Sequence, residues 1–432
     1  MKVRRVIVAA FALIAALAPV RAEVVAVKAG LLIDGTGAPP RKNPIVVVEN
    51  GKIVSVGTDV PKGATIIDLG DRTLLPGFID CHVHLAGRVI GEGENWDDAA
   101  VRDLPQEDAI RGVRNAKATL EAGFTTVRNV GASDFSDIAL RNAIRDGVVP
   151  GPRILAAGNA IGITGGHCDT NGYIPGILEG DPENGIADGD AEIMKAVRYQ
   201  VKHGADVIKT CATGGVLSEG DAVGVQQYSD EELVVLVTEA HLTGRKVAAH
   251  AHGAEGIKAA LRAGVDSIEH GSMTDDEAIA LFKKTGAFLV PTLMAQESVE
   301  RLANSGVLKG HRAEKALFIA PVARANIKKA IAAGVRIALG TDSGVFPHGK
   351  NAHEFELMVG LGMKPMDAIL AGTKNAAELL GLEKTVGTLE AGKIADLVAV
   401  DGNPLDDVKT LTVPVFVMHE GTVVGAVPKL LR

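Results

Sequence analysis

The chain has 432 residues, 47% of them hydrophobic, 23% charged and only 3% aromatic, with 51 glycines spread along its length. Such a composition belongs to a globular α/β protein with a sizeable core, and it excludes disorder, collagen and coiled coil. The formal charge of −8 includes no basic stripe, which excludes an electrostatic grip on nucleic acid, and three cysteines are too few for a disulfide scaffold at this length.

Lys2, Arg4 and Arg5 precede an apolar run over residues 6–17, followed by Pro19 and by Val20-Arg21-Ala22, a small-residue cleavage pattern. Residues 1–22 are therefore expected to be a signal peptide, sending the mature protein to a secreted or periplasmic space. No other run reaches the roughly 20 apolar residues of a membrane span, so no membrane association is expected after cleavage. Short alternating runs follow at 45–49 and 53–56 around the turn Asn50-Gly51, and similar runs return at 397–400, 415–418 and 422–424. Both ends should build one small β-sandwich domain, from residues 23–75 and 384–432, with residues 76–383 inserted between them.

The inserted segment repeats a pattern. Gly123, Gly204, Gly244, Gly264, Gly286 and Gly334 each close a helix-like stretch and lead into a short apolar run. A glycine just past a helix end takes the left-handed cap, and the β-branched run behind it reads as a buried strand. With the runs at 75–84 and 153–157 there are eight candidate strands. Helix then strand, repeated, predicts parallel strands covered by helices, and eight such units without a glycine-rich dinucleotide fingerprint predict a (β/α)8 TIM barrel.

Chemistry in such a barrel sits where strands end. The first strand ends in Asp80-Cys81-His82-Val83-His84, whose alternation puts both imidazoles on one face, suited to a single metal ion. Lys209 ends the fourth strand, His250 the fifth, His270 the sixth and Asp342 the eighth. Lys209 stands among apolar residues and cations, a setting that lowers an ammonium's pKa. Its neutral amine can take up CO2 as a carbamate, an anion with two oxygens able to bridge two metals. Cys81, Cys168 and Cys211 each lie beside a candidate site residue and are expected as free thiols, with Cys81 packed on the far side of its strand.

These residues resemble the binuclear branch of the amidohydrolase superfamily. Leu75-Pro76-Gly77-Phe78-Ile79-Asp80, Gly123-Phe124-Thr125-Thr126-Val127-Arg128, Thr164-Gly165-Gly166-His167, Ala249-His250-Ala251-His252-Gly253 and Gly340-Thr341-Asp342 are similar to the Xaa-Pro dipeptidase and imidazolonepropionase-related group, which includes carboxypeptidase-like and ochratoxin-degrading amidases. The resemblance implies two divalent metal ions, with zinc expected, manganese and cobalt being alternatives. It further implies that His82, His84 and Asp342 hold the more buried ion, His250 and His270 the more exposed one, and a CO2-derived carbamate on Lys209 bridges them. A hydroxide shared by the ions would attack the amide, and Asp342 would carry its proton to the departing amine.

Outside the metal set, His167 and Tyr228 look like the group's contacts for a substrate α-carboxylate, with Arg128 as an alternative carboxylate partner. His252 either touches the substrate carbonyl or supports its neighbour His250. His348 and His353 read as surface-loop residues. The expected activity is hydrolysis of the amide to a C-terminal amino acid, in dipeptides, N-acyl amino acids or ochratoxin-like amides. The substrate is then a small molecule or dipeptide with a free carboxylate, and by the resemblance the protein is a homo-oligomer. Two alternatives stay open: a cyclic-amide hydrolase of imidazolonepropionase type, and a non-catalytic periplasmic binding protein.

Overall fold

The computed structural model describes residues 24–93 and 96–425, so the signal-peptide reading of residues 1–22 lies outside the described residues. Parallel strands Phe78–Val83, Phe124–Asn129 and Arg153–Ala156 form one run, and Val207–Cys211, Lys246–Ala251, Ser267–His270 and Phe288–Val290 a second. Two joints close these runs into a ring. Ile161 pairs in parallel with Thr210, and the Asp206 amide donates to the Ala156 carbonyl at 2.7 Å. The eighth place is filled by the chain around Ile337, which pairs in parallel with Leu289, while Val83 pairs with Ser343. The fold is a (β/α)8 TIM barrel with a small β-sandwich.

All six glycines that precede strands have φ between 72° and 103°, as left-handed caps require. Two expectations are corrected. The run at 75–84 is two strands, because Thr73–Pro76 pairs with Leu397–Val400 in the sandwich and only Phe78–Val83 enters the barrel. The break is at Gly77, where a Cβ would stand 2.2 Å from Thr125 Oγ1. The eighth segment forms isolated bridges and no continuous ladder. Its amides are diverted: Leu339 N donates to the Ala371 carbonyl at 2.9 Å, outside the barrel sheet.

The sandwich has a four-stranded sheet containing Val24–Lys28 and Ile45–Glu49, and a six-stranded sheet in which three C-terminal strands join three N-terminal ones where Leu397–Val400 pairs with Thr73–Pro76. Val46, Val48, Ile53, Leu74, Leu397, Phe416 and Met418 fill the space between them. Two packed helices, Leu293–Asn304 and Gly310–Ala332, separate the seventh strand from the eighth. On the second of these, Ala316, Ile319, Ala323, Ile327 and Ala330 are buried at helical spacing, together with one lysine, Lys315. Among the described residues no helix is long and apolar enough to cross a membrane.

Candidate metal centre

His82, His84, Lys209, His250, His270 and Asp342 line one cavity of about 740 Å³ at the C-terminal mouth of the barrel. The strand alternation acts as the sequence suggests. His82 Nε2 and His84 Nε2 lie 3.5 and 3.4 Å from the same oxygen, Asp342 Oδ1. Behind them the other ring nitrogens are held: His82 Nδ1 stands 2.7 Å from Glu269 Oε2, and His84 Nδ1 3.0 Å from the Gly131 carbonyl. Each acceptor draws the ring proton to Nδ1 and leaves the Nε2 lone pair facing Asp342, the form in which imidazole binds a metal.

A second group adjoins the first. Nitrogens of His250, His252 and His270 lie within 4.8 Å of one another, and His270 also groups with His82 and Asp342. His270 Nδ1 is 2.7 Å from Thr292 Oγ1, and His252 Nδ1 is 2.7 Å from Ser272 Oγ. Buried His250 Nε2 has no hydrogen-bond partner among the described residues. An orphaned, fully buried nitrogen among imidazoles is costly unless a cation takes its lone pair, so this donor set fits a metal.

Backbone strain marks the same place. His270, Thr292 and Asp342, at the ends of the sixth, seventh and eighth strands, have φ of 71°, 47° and 60°. Each such residue costs about 1–3 kcal/mol, so the surrounding packing must hold them there. The Thr292 turn is what puts its hydroxyl on His270.

Burial, first, depresses every imidazole of the cluster, followed by Lys209 for His82 and His84 and by the neighbouring imidazoles for His250 and His270. His84 is pushed down to about 4, and His82, His250 and His270 fall well below their usual range. All four are neutral at pH 7, ready to coordinate. Burial also lowers Lys209 to about 8, against the pull of Glu269 and Asp342, and raises Asp342 to about 7, against Lys209. The Lys209 amine is therefore accessible in its uncharged form near neutrality.

The structure separates the remaining candidates. His167 is on the cavity wall, its ring stacked on His250 at 4.1 Å between centroids. His252 is buried behind the wall, packed face-on against His270 at 4.9 Å. Arg128 is 1% exposed and lies beneath the cluster, donating to Glu269 Oε1 at 2.7 Å, Ser267 Oγ at 3.0 Å and the Cys81 carbonyl at 2.6 Å. With its guanidinium so committed it does not reach the cavity. Tyr228 is buried too, its hydroxyl donating to the Ala187 carbonyl at 2.9 Å. His353 is held by Glu297 and Glu356, whereas His348 is tucked against Ser343 Oγ at 2.9 Å.

The expectation of three free thiols is corrected: Cys168 and Cys211 form a disulfide, and only Cys81 is free. The loop after the third strand returns over the end of the fourth, bringing the two Cα atoms to 5.9 Å, within disulfide reach.

Sequence reasoning missed Glu269 and Asp80. Glu269 accepts hydrogen bonds from His82, Arg128 and Ser267 at once. Asp80 ties the first strand to the eighth through Thr341 Oγ1 at 2.7 Å and Asn351 Nδ2 at 2.8 Å, and burial raises its pKa to about 6. The signal was present, since a carboxylate inside an otherwise buried strand needs partners.

Comparison with known proteins bears on this arrangement. A model of the amidohydrolase family matches residues 73–426. Ochratoxinase of Aspergillus niger is 36% identical over 423 residues, covering 92% of this chain and 85% of the relative. Imidazolonepropionase of Symbiobacterium thermophilum is 27% identical over 413 residues, covering 87% and 90%. Among solved structures, an Xaa-Pro dipeptidase with methionine bound in its active site superposes with a TM-score of 0.88 at 38% identity, covering 93% of this chain and 99% of that one.

Proposed function

The chain belongs to the amidohydrolase family and is a hydrolase of amide bonds, and from that premise we propose a binuclear metal enzyme that releases a C-terminal amino acid from an acyl or aminoacyl group. The observation that carries the reading is the meeting of His82 Nε2 and His84 Nε2 at one Asp342 oxygen, with both Nδ1 atoms already engaged. His82, His84 and Asp342 would hold an inner ion, His250 and His270 an outer one, with zinc favoured by the nitrogen and oxygen donors. Lys209 would bridge them as a carbamate: its neutral Nζ bonds to the carbon of CO2 and sheds one proton. Bound there, the cations supply Lewis acidity that polarises a carbonyl and lowers the pKa of water.

The chain's own residues do the rest. Asp342 turns Oδ1 to the histidines, leaving Oδ2 to accept a proton from the attacking water and pass it to the departing nitrogen. That transfer matters because an amide anion is a very poor leaving group. Glu269 and Gly131 keep both inner imidazoles in the coordinating tautomer throughout. The likeness to an ochratoxinase and an Xaa-Pro dipeptidase supports dipeptides, N-acyl amino acids and ochratoxin-like amides as substrates. Export is supported by the pattern of residues 1–22, and the Cys168–Cys211 bond suits an oxidising space.

Elemental analysis and a substrate panel test this reading together. We expect about two zinc ions per chain and turnover of dipeptides or N-acyl amino acids, reduced about 10²–10⁴-fold in Asp342→Asn. One ion per chain with turnover of cyclic amides alone would replace it with the imidazolonepropionase-type reaction.

A further inference from the structure

His167 is held from three sides. Its backbone amide donates to Gln227 Oε1 at 3.0 Å, and the next residue, Cys168, is bonded to Cys211. Its ring lies so close over Gly215 that a Cβ there would stand 2.2 Å from Nδ1. The third restraint is a chain of polar groups. His167 Nδ1 is 2.8 Å from Ser218 Oγ, and Ser218 Oγ donates to Asp221 Oδ1 at 2.7 Å.

Behind Asp221 stands Lys315, on the helix inserted before the eighth strand. Lys315 Nζ spends its protons on this one turn: Ser218 O at 2.8 Å, Asp221 Oδ1 at 3.0 Å and Asp221 O at 3.3 Å. The Lys315 and Asp221 side chains are 3% and 8% exposed. The other oxygen, Asp221 Oδ2, takes the Gly215 amide at 3.1 Å and Gln227 Nε2 at 3.3 Å, so the same carboxylate braces both supports of His167.

Proton counting then fixes the imidazole. A serine hydroxyl has one proton, and the charge-assisted bond to Asp221 takes it. Ser218 can therefore only accept from His167, which places the ring proton on Nδ1. Nε2, with no hydrogen bond among the described residues, is on the ring edge left to the cavity wall.

We propose that Ser218, Asp221 and Lys315 are positioning residues that hold His167 through its Nδ1–H, so that Nε2 is turned to the substrate in the cavity. The proposal rests on the hydrolase reading only in that the cavity receives that substrate.

The test compares wild type with Ser218→Ala and Ser218→Thr, the second of which keeps the hydroxyl. Two-bond 1H–15N spectra of histidine-labelled protein, assigned with His167→Gln, should show His167 protonated at Nδ1 in wild type and in Ser218→Thr. Ser218→Ala should shift it towards the Nε2–H form, raise KM about 3- to 10-fold, as loss of one hydrogen bond implies, and leave kcat within about twofold. An unchanged tautomer in Ser218→Ala, or a fall in kcat and Tm with KM untouched, would overturn the relay. Absence of turnover by wild type would count against the hydrolase reading, while the nitrogen spectra would still decide the relay.

Discussion

The two halves of the cluster are built differently. Around His82, His84 and Asp342 every ring nitrogen pointing away from the centre meets a fixed acceptor, and one of these, Glu269, is a carboxylate anchored by Arg128 and Ser267. Around His250, His252 and His270 the supports are hydroxyls, Thr292 and Ser272, and the orphaned His250 Nε2 is left for an ion to satisfy. A charged, buried support raises the basicity of an imidazole and fixes its orientation more firmly than a rotatable hydroxyl. The inner position is thus preorganised, and on the proposed two-ion reading the outer one would depend on its ion for completion.

The largest effect should come from Asp342→Asn, which keeps the shape of the inner position and removes the proton carrier. We expect kcat to fall about 10²–10⁴-fold with Tm little changed, measured on the best substrate of the panel. A fall confined to KM would show that Asp342 only binds. Glu269→Gln should come next, because it strands the Arg128 guanidinium in the barrel interior. Breaking a buried pair costs about 3–5 kcal/mol, so denaturant unfolding should show a loss of that order together with loss of the inner ion. A variant as stable as wild type would erase the distinction between the halves.

Thr292→Ala addresses the weaker half alone. Removing the hydroxyl behind His270 should weaken the outer ion about 10- to 100-fold, read by competition with a chelator, and leave the inner ion in place. Simultaneous release of both ions would contradict the division. The smallest effect, taken per pH unit, concerns Glu354, which accepts the Leu293 and Met294 amides just beyond Thr292, and which burial raises from 4.5 to about 8. A group raised in the folded state stabilises fully below its unfolded value and loses that contribution as pH rises through the folded one. Wild type should therefore lose stability relative to Glu354→Gln as pH rises from 4.5 to about 8, by at most about 1.4 kcal/mol per pH unit, measured by urea unfolding. A pH-independent difference would show that Glu354 is ionised throughout.

The strand-end residues were legible because a barrel confines chemistry to one face and the strand period decides which side chains share it. His82 and His84, two residues apart, converge for that reason, and the six capping glycines announce the strands that bring Lys209, His250 and His270 to the same mouth. What stood between those positions was harder to read. Arg128 ends a strand as a ligand would, yet its length lets it turn back into the barrel and pair with Glu269, which no local pattern reports. The Cys168–Cys211 bond depends on the path of a long loop, and loop paths leave no periodicity in sequence. The relay to His167 joins residues nearly a hundred positions apart, from a turn and an inserted helix whose spacing carries no shared motif.

The most direct test of the two-ion centre is an anomalous-difference map, collected at the zinc edge from crystals of the zinc-loaded enzyme. The account predicts two peaks in the cavity, one beside His82, His84 and Asp342 and one beside His250 and His270, with carboxylated Lys209 between them. A single peak beside an unmodified Lys209 would contradict it.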